Sequence, residues 1–136
     1  MTVHNSTINA YSPTRDRIAK GIMILAAAAA FYAMIASIGT AISAGPDTMQ
    51  VEWWRAFGFM LFTSLFLMLA FWPRRYPGLW EVIILNKAAL TIAEILLIQR
   101  NAADAFSTAV ADGILVLFLI AAYLLSRGYE SWRRTT

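Results

Sequence analysis

Four ionisable residues stand where charge is expensive. Lys87 and Glu94 lie within "LWEVIILNKAALTIAEILLI", Asp112 within "AVADGILVLF", and Arg55 within "EWWRAFGFML". An ion in hydrocarbon survives only if it is paired or hydrated, so such residues mark a polar site or pathway. On a helix, Lys87, Thr91 and Glu94 follow i, i+4 and i+7 spacing and share one face. Counting about 1.5 Å per residue from the outer end of each span puts Arg55 about 4 Å deep and Glu94 about 9 Å. The same count gives Asp112 about 11 Å and Lys87 about 18 Å. Two cations then balance two carboxylates. Depth matching predicts Arg55 with Glu94 and Lys87 with Asp112, the second pair lying within the reach of a lysine stem.

Two carboxylates beside unequal cationic partners divide into a proton donor and a proton acceptor. Glu94 and Asp112 are therefore the candidate acid and base, with Lys87 and Arg55 tuning them. Such a set suits opening a strained ether, double-bond isomerisation, or protonation-triggered cyclisation of an apolar substrate. Thr91, Phe59, Phe62 and Tyr123 are the candidate substrate-binding residues. Arg55, Phe59, Phe62 and Phe66 share one face of their helix, while Asp112, Leu119 and Tyr123 share one face of theirs. Plainer roles compete with these: headgroup snorkelling for Arg55 and Lys87, ordinary packing for the phenylalanines, and an interhelical hydrogen bond for Asn86. Glu94 and Asp112, having short side chains, cannot snorkel so readily.

Composition limits the alternatives. The 136 residues are 60% hydrophobic and 14% charged, whereas soluble domains carry roughly 25% charged residues. So few charges leave the surface of a small globule uncovered, and the lipid bilayer is the implied solvent. Cysteine is absent and His4 is the one histidine. Disulfides, thiolate chemistry, multi-histidine metal sites and a histidine triad are thereby excluded. The reaction is expected to need no metal and no cofactor. No basic stripe points to nucleic acid.

Four apolar segments, near 18–43, 53–72, 79–99 and 105–126, approach the roughly 20 residues needed to cross a hydrocarbon core. The separators "AGPDTMQVE", "PRRYPG" and "RNAAD" are short and rich in breakers. Ser12 or Thr14 with Pro13 suits the first helix start, and Asp104 suits the last as an N-cap. Short connections place consecutive helices side by side and antiparallel. The expected fold is all-α: one membrane domain, an up-down four-helix bundle covering 1–136, with homo-oligomers possible.

Of eleven Lys and Arg residues, Arg15, Arg17, Lys20, Arg74, Arg75, Arg127, Arg133 and Arg134 fall on one side. That asymmetry predicts both termini in the cytoplasm, in an inner membrane if bacterial or endoplasmic reticulum if eukaryotic. Asn5 in "NST" is then an unused glycosylation acceptor. Trp53 and Trp54 are expected at the outer interface, and Trp72, Tyr76, Trp80, Tyr129 and Trp132 at the inner one. Small residues along the first span, including Ser37, Gly39 and Ser43, are expected at a helix contact.

The segments "WWRAFGFMLFTSLFLML" and "ADGILVLFLIAAY", with the Lys- and Glu-bearing third span, resemble small four-span proteins of the DoxX-like type over roughly residues 18–126. That resemblance implies a membrane subunit or assembly factor and selects no reaction. Size and acidic spans are similar to the small membrane epoxide hydrolases and cyclases of fungal polyketide and meroterpenoid pathways. By that analogy Glu94 and Asp112 would protonate or open an epoxide. The leading expectation is a membrane epoxide hydrolase, cyclase or isomerase. A non-catalytic subunit and a small transporter protomer are the alternatives.

Overall fold

The computed structural model describes residues 12–134; His4 and Asn5 lie outside them. Four helices, α1 (Pro13–Ser43), α2 (Pro46–Phe71), α3 (Leu79–Ile98) and α4 (Ala105–Leu125), precede a 3-10 turn, η1 (Gly128–Arg134). No strand occurs among the described residues. Three helices, α1, α2 and α4, are long and apolar enough to cross a membrane. Glu81, Lys87 and Glu94 are spread along the 20 residues of α3, so any stretch of it long enough to span carries all three charges.

Local sequence explains the ends. Pro13 and Pro46 each sit in a first turn, where no intrahelical N–H partner is lost. Asp16 and Asp47 occupy those turns too, and carboxylates there complement the helix dipole. Ser12 and Asp104 are the N-cap residues of α1 and α4, but neither side chain makes a capping hydrogen bond. At Asp104 the hydroxyls of Ser107 and Thr108 instead donate to its backbone carbonyl, at 2.9 and 3.0 Å. Helix α2 begins seven residues before the expected 53. Gly45–Pro46 breaks α1 but is compatible with restarting a helix at once.

The helices alternate in direction. Arg74, just past α2, meets Asp16 at the start of α1 and the Ser126 carbonyl at the end of α4. The closest packing is α1 on α2, α3 on α4 and α1 on α4. Met23, Phe66, Leu69, Trp80, Ile83 and Leu119 fill the core, all in the half of the bundle nearest Arg74. In the other half only small residues are buried, among them Ser37, Ala41, Ala56 and Ala109.

Outward faces are apolar as well. Tyr32, Leu25 and Phe106 are 77%, 72% and 71% exposed. Continuous exposed hydrocarbon of this kind requires a non-aqueous surround. Two placements differ from expectation. Trp80 is fully buried, donating Nε1–H to the Pro73 carbonyl at 2.7 Å, because its indole fills the core where α3 begins. Gly39 meets nothing and Ser43 is exposed; Ala26, Ala27, Ala30, Ser37 and Ala41 make the close face of α1 instead.

Candidate functional site

Lys87 is the one basic residue buried in the bundle among the described residues. Its Nζ lies 3.0 Å from Asp112 Oδ1, and the two side chains are 6% and 15% exposed. The ammonium also stands 4.4 Å from the centroid of the Phe62 ring. Three helices thereby contribute to one charge: α3 supplies the cation, α4 the counter-ion and α2 an aromatic face. Thr91, one turn beyond, donates its hydroxyl to the Lys87 carbonyl at 2.9 Å. A Cβ added at Gly113 would reach ordinary contact with the Thr91 methyl, at 3.5 Å.

Dry surroundings make this arrangement consequential. A cation–π contact gains strength when desolvated, to about 2 kcal/mol. Leaving either member of a buried ion pair alone costs about 3–5 kcal/mol. Both partners are therefore held, and α3 is fixed in depth and rotation against α4 and α2.

The expected Arg55–Glu94 pair does not form. Arg55 instead approaches Glu52, three residues earlier on its own helix, with Nη1 3.1 Å from Oε2. This is an electrostatic contact without hydrogen-bond alignment, and the Arg55 side chain is 55% exposed. A local partner needs no movement of a second helix, which is why it displaces the distant one. Glu94 is half-buried on the Lys87 face and has no hydrogen bond or ion pair among the described residues. No contact joins Glu94 to Asp112. Phe59 is half-buried, two turns before Phe66 on the same face.

Tyr123 stands in a different neighbourhood, about 16 Å along α4 from Asp112. Its hydroxyl donates to Glu81 Oε1 at 2.7 Å, and its ring lies 5.8 Å from Trp80 and 6.0 Å from Tyr129. Trp132 Nε1 donates to the same Glu81 oxygen at 3.1 Å. Nearby, Arg74 grips Asp16 through two hydrogen bonds of 2.9 Å and donates to the Ser126 carbonyl at 2.6 Å. Counting charges by side grouped Arg74 with the positive flank and missed this clamp. Asp16 in the first turn of α1 was the available signal. Among the described residues no three carboxylate, histidine or cysteine side chains converge as metal ligands.

Apolar outward faces, helices of spanning length and a buried ion pair define an all-helical, multi-pass membrane protein. No protein-family model, curated protein or solved structure matches the chain.

Proposed function

We propose that this is a non-catalytic membrane subunit or assembly component, spanning the bilayer four times with both termini in the cytoplasm. The observation that carries the role is the closed Lys87–Asp112–Phe62 contact. A carboxylate already held by a lysine against an aromatic wall acts as a helix-register lock, a known use of buried polar pairs. The fourth span is α3, whose central cation is neutralised inside the bundle. Glu81 sits at the end of α3, where Tyr123 and Trp132 bond it. In this reading Glu94, left over on α3, is the polar contact offered to a neighbouring transmembrane helix, where such contacts are worth about 0.6 kcal/mol on average.

The test is photo-crosslinking in native membranes from a reactive residue at Leu90, one turn from Glu94. A discrete adduct with a second polypeptide is expected, weakened in Glu94→Gln. Absence of any adduct would refute the subunit reading.

A second reading, the acid–base enzyme acting on an apolar epoxide, is favoured by the same Glu94. A half-buried carboxyl without a counter-ion on an apolar helix marks a polar site. Its measurement is product formation from an epoxide-bearing apolar substrate in membranes. Turnover lost on the order of 100-fold in Glu94→Gln or Asp112→Asn, at normal protein levels, would establish catalysis.

A further inference from the structure

Between α1 and α4 lies an open groove of about 250 Å³ lined by apolar side chains alone. Ala26, Ala29 and Ala111 leave the gap, and Ile22, Leu115 and Phe118 bound it. Three alanines beside the contact of two long helices leave side-chain volume unfilled along its edge. Ala29 and Ala111 are exposed, so the groove opens sideways, toward the surround that covers the apolar faces of the bundle.

Charge sits at one end of it. Arg15, Ile22 and Ala29 follow a seven-residue spacing and share one face of α1. Arg15 is in the first turn of that helix and exposed, about 10 Å before Ile22 along the axis. Asp16, the neighbouring acid, is engaged by Arg74 and faces elsewhere. An apolar channel leading to a cation at the helix start matches a molecule with a hydrocarbon tail and an anionic head.

We propose that the α1–α4 groove binds one acyl chain of an anionic phospholipid, whose headgroup is held by Arg15. The lipid acts as a fifth packing element where α1 and α4 lack side-chain volume. This assignment needs only a membrane surround and stands whether the protein is a subunit or an enzyme.

The experiment is native mass spectrometry of the full chain released from membranes, with phosphatidylglycerol and phosphatidylcholine supplied in equal amounts. One retained lipid per chain is expected, with phosphatidylglycerol favoured about fivefold, the effect of one arginine near an anionic headgroup. Ala29→Phe fills the groove from its open side and should abolish retention while leaving the melting temperature of delipidated protein unchanged. Ala111→Leu does the same from α4 and replaces it if Ala29→Phe fails to fold. Arg15→Gln should retain the lipid but lose the headgroup preference. Retention that survives both groove-filling variants would overturn the proposal. So would equal uptake of the two lipids by the unsubstituted protein, or a lipid-free dimer abolished by Ala29→Phe.

Discussion

Lys87 owes its place to three neighbours, and their contributions are separable. Lys87→Met leaves Asp112 buried without its cation and is expected to destabilise by about 3–5 kcal/mol. Lys87→Met combined with Asp112→Leu removes both charges and should recover most of that loss, since an apolar pair of similar volume is often neutral or better. Thermal unfolding in a fixed detergent measures both; a double variant no more stable than the single would disprove the simple pair. The contact was legible in the sequence because a lysine and an aspartate of opposite charge were buried at depths a lysine stem can bridge. The Arg55–Glu94 contact was not, because depth alone ignores a nearer partner. Glu52 on the same helix satisfies Arg55 without ordering anything else.

Elements are secured where their ends meet. Gly128 starts η1 against Trp80 and Tyr123, and a Cβ there would lie 2.6 Å from both rings. Neither ring can yield freely, since Trp80 is bonded to Pro73 and Tyr123 to Glu81. Gly128→Ala is expected to cost about 1–3 kcal/mol by overpacking. Limited proteolysis should show faster cleavage beyond α4, and unchanged protection would argue against the clamp. The ends of α3 and the start of α4 were readable to within a residue, and Gly78, Asn101 and Asp104 bracket them with left-handed backbone. The start of α2 was misread because a Gly–Pro step marks a break but says nothing of how soon the next helix begins.

At the scale of the molecule, the basic flank coincides with the well-packed end of the bundle. Arg74, Lys20 and Arg127 gather at the well-packed end, and Lys20 rests 4.5 Å from the Phe71 ring. Reporters fused at either terminus or inserted after Arg74 are expected on the cytoplasmic side, and one at Asp47 on the opposite side. A glycan on Asn5 would invert the topology. Membrane residence was legible from composition alone. The uneven core was not, because apolar residues run the full length of every helix and no pattern in them distinguishes protein contact from lipid contact.

The Lys87–Asp112 bond also dictates an order of events during synthesis. Lys87 emerges from the ribosome 25 residues ahead of its counter-ion. A lysine at mid-helix opposes insertion by about 2.5–3.5 kcal/mol, so α3 enters lipid poorly by itself. If α3 is the fourth span proposed above, it is expected to enter lipid together with α4, as a hairpin in which Asp112 neutralises Lys87. A chain truncated after Asn101 and extended by a glycosylation reporter should leave that reporter largely unmodified. Restoring α4 (Ala105–Leu125) downstream of a reporter inserted after Asp104 should drive modification up, and Asp112→Leu should return it to the truncated level.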